Sequence, residues 1–301
     1  MVQGATARLI HWIPLIFVLL WSTGFIGAKY ALPFIEPFNL LFIRMLITLG
    51  VFAALILIFS SRWPSPRQAV HQMIVGSLVH AAYLGGVFAA IKWQMPAGVA
   101  SLLVGLQPLL TAVLAWAMFS NRLRPSQWFG LILGLAGVAL VLLGGKGFDR
   151  FEITVGALVA AMIALIGISV GTLYQKRFGV GVNLLTGSFF QYLATAIWMA
   201  LLTFLFEEHA VVWDAQLIGA LLWLVFGLSV SAILLLMYMI REGEAAKVAS
   251  YFYLVPPVTA LEAWLLFDET LSGLAVAGML LVVWGVYLVL KPGHQSVIRA
   301  G

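Results

Sequence analysis

Ser77, His80 and Tyr83 stand three residues apart inside a long apolar segment, a spacing that places them on one helical face. Comparable polar and aromatic sets interrupt other apolar runs. They are Trp21, Ser22 and Thr23 in the first, Ser101 and Gln107 in the fourth, Ser169, Thr172 and Gln175 in the sixth, and Ser250, Tyr251 and Tyr253 in the ninth. Hydroxyls and amides can hold an ammonium and a carboxylate, and rings can pack an apolar remainder. The chemistry these residues offer is therefore binding of a small zwitterion rather than bond-making. Such residues also serve as packing contacts between helices, and the stripe Ser188, Gln191 and Thr195 is read that way. Ser22 with His80 is a conceivable nucleophile–base pair, but no His-Glu-x-x-His or nucleotide-binding P-loop accompanies it. Neither a catalytic residue nor a cofactor is expected, and ATP cannot be the direct energy source. The chain has no cysteine, and no cluster of acids or histidines is set within the apolar segments to hold a metal.

The elements that must position these residues follow from composition. Hydrophobic residues make up 63% of the chain and charged residues 9%, against about 25% charged in soluble domains. This describes an all-α integral membrane protein. Ten apolar segments are expected, near 10–30, 38–59, 70–92, 96–119, 126–144, 153–176, 184–206, 214–240, 245–267 and 271–290. At about 20 residues per span they use nearly the whole chain. Arg8 before an apolar run resembles a secretory leader, but the run continues to Lys29 and Tyr30 without a small-x-small cleavage site, so a retained first helix is expected.

With ten spans, both termini and the even-numbered loops share one side. That side carries Arg8, Arg62, Arg67, Arg122, Arg124, Lys176, Arg177, Arg241, Lys247, Lys291 and Arg299, against Lys29, Lys92, Lys146 and Arg150 on the other. The positive-inside rule places both termini in the cytoplasm. The net charge of +5 is thus read as loop asymmetry and not as a nucleic-acid surface. The partners expected are the lipid bilayer and a small-molecule substrate.

An internal repeat organises the chain. Leu106, Pro108, Thr111, Ala112, Trp116 and Phe119 recur 148 residues later as Leu254, Pro256, Thr259, Ala260, Trp264 and Phe267. This divides the chain into a first five-helix repeat over 8–146 and a second over 149–291. Five is odd, so the second repeat must enter the membrane inverted, the architecture of secondary transporters. Pro108 and Pro256 are expected in mid-helix, each bending its helix and serving as a hinge. Because both halves lie in one chain, a monomer is sufficient for function.

The paired five-helix halves, the proline in each fourth helix and the glycine-rich fifth helices resemble the drug/metabolite transporter superfamily, EamA-type exporters. Asp268-Glu269 followed by Leu271, Gly278 and Gly285 is similar to the end-of-repeat pattern, whereas the first copy departs from it at Asn121-Arg122. Within the superfamily the chain looks nearest to bacterial aromatic amino acid exporters. The resemblance implies export of amino acids, aromatic or otherwise neutral, across the bacterial inner membrane. The alternatives are export of another metabolite or drug, such as a nucleobase or polyamine, and a channel.

Two charges fall inside spans. Arg44 and Glu262 each lie ~9 Å from the outer end of their helices, where an isolated charge is costly. They are expected to share an outer vestibule or to form a charge pair, with Glu262 a candidate protonation site.

Overall fold

The computed structural model describes residues 2–95, 100, 103–119, 123–143, 154–243, 245–267 and 272–291. Among them the regular secondary structure is helical, apart from one isolated β-bridge, Ile35 to Val211. The helices are α1 (Val2–Ala31), α2 (Pro37–Ile58), α3 (Pro66–Lys92), α4 (Gln107–Phe119), α5 (Pro125–Leu143), α6 (Val155–Phe178), α7 (Leu184–Phe206), α8 (Ala215–Glu242), α9 (Ala245–Ser250), α10 (Val255–Phe267) and α11 (Gly273–Leu290). Among the described residues, α2, α3, α6, α7, α8 and α11 are long and apolar enough to cross a membrane, and shorter apolar helices accompany them.

Local chemistry sets the helix starts. Ser65 and Gln68 form a reciprocal capping box around Pro66, while Thr154, Asn183, Asp214 and Ser272 each accept a backbone N–H in the first turn of the helix that follows. Pro37, Pro66 and Pro125 open helices, where the missing N–H would have had no partner anyway.

The backbone repeats at the spacing read from the sequence. Shifted by 148 residues, α2 falls on α7, α3 on α8 and α5 on α11, to within two residues at each end. Two irregularities repeat with it. A π-helical stretch, Gly76–Ala82, lies within α3, and another, Leu224–Ala232, begins at the equivalent position of α8. A turn at residues 105–106 precedes α4, and a 3₁₀ turn, Tyr251–Leu254, separates α9 from α10. Pro108 and Pro256 are each the second residue of the helix after the break. They do not kink continuous helices as expected; they open new ones. A proline costs no backbone hydrogen bond there, so the chain breaks before the ring instead of bending at it.

Helices α5 and α11, which correspond across the repeat, pack on each other. A Cβ at Gly130 would lie 2.6 Å from the Gly285 carbonyl oxygen, one at Gly285 would lie 2.6 Å from that of Gly130, and one at Gly137 would lie 2.7 Å from that of Gly278. Gly130 and Gly137 correspond in the repeat to Gly278 and Gly285, so each glycine meets the counterpart of the other. This is the self-complementary pattern of a two-fold axis, and it runs α5 and α11 antiparallel. Without side chains the backbones approach closely enough for dense packing, as in membrane helix pairs.

Contacts between loops segregate to two ends of the bundle. At one end, Val212 N donates to Phe34 O at 3.0 Å, Lys92 pairs with Glu36 at 2.9 Å, and the Glu207 carboxylate accepts the N–H groups of Phe38 and Asn39 at 2.7 Å each. Burial pushes the Glu207 carboxyl up from the ordinary carboxylate range, against those two bonds, which pull it down. At the other end, Thr186 reaches Arg62 O, Lys176 reaches Arg241 O and Arg124 reaches Lys291 O.

Candidate functional site

Trp21 of α1 is the centre of an aromatic cluster. Its ring lies 5.1 Å from Phe17, 5.3 Å edge-on from Phe252 and 6.0 Å from Tyr83 in a stacked arrangement. Its Nε1 donates to the Tyr83 hydroxyl at 3.3 Å. Trp21 and Tyr83 line a cavity together with Gly24, Arg44, Leu84, Val87, Phe88, Leu228 and Ile233. The walls come from α1, α2, α3 and α8, and thus from both repeats. The free space is about 30 Å³, enough for a water or two at about 10–15 Å³ each. A substrate enters only if the helices part.

Arg44 is the charged wall of this cavity. It is 1% exposed, its Nε donates to Ser229 Oγ at 2.8 Å, and its Nη1 has no partner. The direct pairing expected with Glu262 is not formed. Among the described residues, the ion pairs are Lys92–Glu36 and Arg241–Glu242. Glu262 instead accepts a bond from Ser22 Oγ at 2.6 Å, and its second oxygen has no partner. The physical reason is helix placement: Arg44 on α2 is drawn to the π stretch of α8, whereas Glu262 on α10 faces α1.

A buried polar chain continues from Arg44. The Ser229 carbonyl accepts from the Tyr192 hydroxyl at 3.0 Å, and the Tyr192 ring stacks on His80 at 4.7 Å. His80 Nε2 meets Gln191 Oε1 at 3.1 Å, and Gln191 Nε2 donates to Gln72 Oε1 at 2.7 Å. Gln191 was read as packing; it is the residue that holds His80. Thr195, from the same stripe, donates to Gly76 O at 3.2 Å and so does serve to join helices. Arg44 and Tyr192 occupy equivalent places in the two repeats, 148 residues apart, and both converge on Ser229. That equivalence was the available signal for Tyr192.

The π stretch separates residues that an α-helix would align. Its hydrogen bonds close over five residues, so each residue turns the chain by a smaller angle than in an α-helix. Ser77 therefore faces away from His80 and Tyr83. It accepts a bond from Trp198 Nε1 at 2.9 Å and lines a separate apolar groove with Gly85, Gly86 and Ala160. Thr23 accepts from Trp223 Nε1 at 2.8 Å and also lies outside the Trp21 cavity.

The remaining expected residues divide. Gln107 is fully buried and neither of its amide atoms has a partner. Thr172 bonds back to Ile168 O, while Ser169 Oγ and Gln175 Oε1 are buried without partners; none of the three lines the Trp21 cavity. Ser169 is the centre of Gly167-Ile168-Ser169-Val170-Gly171, a literal match to the nucleophile-elbow pattern, yet it lies within the continuous helix α6 rather than on a strand–turn–helix. Its glycines serve close packing: a Cβ at Gly167 would lie 2.7 Å from Leu78 O. Ser250 is buried at the end of α9 and Tyr251 is half-buried. Tyr253 packs into the seam against Gly134, and its neighbour Phe252, not among the expected residues, turns to Trp21. Ser101, Arg122, Asp268 and Glu269 lie outside the described residues.

The geometry is that of a small closed cavity between helices of both halves, with aromatic walls and one cation. Relatives similar in sequence along nearly the whole chain are named as transporters or as an efflux pump. The chain is 29% identical over 279 residues to the uncharacterized transporter YvbV of Bacillus subtilis, covering 90% of this chain and 88% of that one. It is 26% identical to the uncharacterized inner membrane transporter YedA of Escherichia coli K12, covering 93% of each. It is also 26% identical to a probable amino-acid metabolite efflux pump of Salmonella typhimurium, covering 91% and 92%. A solved crystal structure aligns with a TM-score of 0.78 at 24% identity, covering 94% of this chain and 96% of the other, and shares its fold. The model of the EamA-like transporter family matches twice, at residues 9–143 and 155–291. The chain belongs to the EamA-like transporter family.

Proposed function

We propose that this protein is a secondary transporter that exports amino acids or metabolites derived from them across the bacterial inner membrane. It does so by alternating access around the Trp21 cavity. The reading takes ten spans in two inverted five-helix repeats, 8–146 and 149–291, with both termini cytoplasmic. The observation that carries it is the paired irregularity of the backbone: each repeat has a π stretch in its third helix and a break before the proline of its fourth. Broken helices placed alike in two inverted repeats are the usual frame of a mid-membrane site. The antiparallel glycine seam supports the inversion. Pro108 and Pro256 are the hinges, and Gln107, with its unpartnered amide, is a second polar group for the cavity as it opens. The name of the Salmonella relative supports the amino-acid-derived class. A polyamine is the weaker alternative, because Arg44 would repel it.

Counterflow in proteoliposomes tests the mechanism. Preloading with unlabelled substrate drives saturable, transient accumulation of label. Ion-like conductance without saturation would replace the carrier with a channel. Topology is readable because the chain has no native cysteine. In intact cells an impermeant maleimide labels Val212→Cys but not Ser61→Cys, and the reverse pattern would invert the orientation.

A further inference from the structure

Arg44 poses an electrostatic problem that the cavity leaves unsolved. The guanidinium is buried, has one hydrogen bond from Nε to a neutral serine, and leaves Nη1 without a partner. No described residue pairs with it as a carboxylate. A lone cation taken out of water is strongly disfavoured unless an anion or a set of acceptors compensates it. The Arg44 fork borders the same cavity as the Trp21 and Tyr83 rings.

The cavity has no counterpart for a positive charge. Its lining contains no acidic side chain among the described residues. Glu262, the nearest candidate by sequence, is engaged by Ser22 and does not line it. The Tyr83 hydroxyl is the acceptor for Trp21 Nε1. A free ammonium entering here would add a second cation beside Arg44 with no anion to meet it.

We infer that the Trp21 cavity takes a monoanionic carboxylate with an apolar, preferably aromatic, body and no charged amine. Such a compound is a deaminated or N-acylated amino-acid derivative rather than the amino acid itself. The carboxylate meets the Arg44 fork, which suits planar two-oxygen recognition. The body packs against Trp21, Tyr83 and Phe88. The inference rests on the transporter reading above and narrows its substrate class.

Four compounds with one ring and different charge separate the cases: phenylacetate, phenylalanine, phenethylamine and benzyl alcohol. Binding is read as thermal stabilisation of the purified full chain in detergent, and transport as counterflow in proteoliposomes. Phenylacetate is expected to stabilise the wild type and to give saturable counterflow, with the other three at least about 30-fold weaker. Arg44→Gln is expected to lose the phenylacetate response, and Arg44→Lys, which keeps the charge without the fork, to retain part of it. If Arg44→Gln fails to fold, Arg44→Lys and the four-compound series on the wild type keep the site testable. Equal responses to phenylalanine and phenylacetate would overturn the requirement for an uncharged amine. Equal responses to benzyl alcohol and phenylacetate, or no response to any carboxylate, would overturn the carboxylate site. Phenylacetate binding without counterflow would leave the site standing and remove the transport reading beneath it.

Discussion

The two repeats share a backbone and differ in what they carry on it. Each has a π stretch at the same register, within α3 and α8, a break before Pro108 or Pro256, and a glycine-lined helix, α5 or α11. The side chains at equivalent positions are unlike. Arg44 corresponds to Tyr192, Trp21 to Ser169, His80 to Leu228, Glu262 to Leu114 and Gln107 to Val255. The repeated features concern backbone geometry, and the unrepeated ones concern charge, aromatic surface and hydrogen bonding. In the proposed mechanism, motion and substrate recognition are thus carried by different parts of the molecule. A symmetric frame can exchange two conformations of similar energy, while one asymmetric set of side chains defines a single site.

The comparison is broken most severely at the seam. Gly137→Ala and Gly285→Ala, equivalent positions in the repeat, force a methyl group against the Gly278 and the Gly130 carbonyl oxygen respectively. Each is expected to cost about 1–3 kcal/mol, with matched losses of melting temperature in detergent. Markedly unequal losses would show that the two-fold relation does not extend to packing energy.

The paired breaks are next. Pro108→Ala and Pro256→Ala restore a backbone donor and permit helix to run through the break. Stability should change by less than about 1 kcal/mol, while counterflow slows several-fold in both. Unchanged counterflow in both would remove the breaks from the mechanism.

The asymmetric contact between Ser22 and Glu262 sharpens the contrast further. Ser22→Ala leaves the half-buried Glu262 carboxyl with no partner and should cost about 1 kcal/mol. The mirrored change, Val170→Ala, removes no hydrogen bond, and a melting-temperature loss as large as that of Ser22→Ala would assign the Ser22 effect to packing. If Glu262→Gln transports normally between about pH 5 and 8, then Glu262 is not a protonation site coupled to substrate.

The smallest effect lies at the loop end of α7. The Glu207 carboxyl is raised by burial above its ordinary value of 4.5. A group raised on folding stabilises most below its unfolded value, and that contribution is lost as pH rises through the folded value. Melting temperature should therefore fall slightly as pH increases across this range. In Glu207→Gln the Glu207 component of that slope should vanish, and an unchanged slope would assign it elsewhere.

Much of the fold is legible in the sequence because its signals are local or periodic. Apolar length marks the helices, capping residues and prolines mark their starts, and the 148-residue recurrence gives the correspondence between halves. The site was legible only in part. Trp21, Tyr83 and Arg44 stand out as polar or aromatic groups inside spans, but Ser77 shares a face with His80 and Tyr83 only on an α-helical period, which the π stretch breaks. The Tyr253 hydroxyl is the stronger signal in the sequence, whereas the turn Tyr251–Leu254 directs the Phe252 ring to Trp21.

Sequence alone determined that this chain is helical, apolar enough for the membrane and duplicated, since these properties reside in composition and in spacing along one strand of chain. Only the tertiary structure decided which buried polar groups meet. Arg44 finds Ser229 across 185 residues, and Glu262 finds Ser22 across 240. Those partners are set by helix packing and by where each backbone departs from the α-helical period. No pattern within a single segment encodes them, so the lone cation at the cavity wall becomes visible only in the folded molecule.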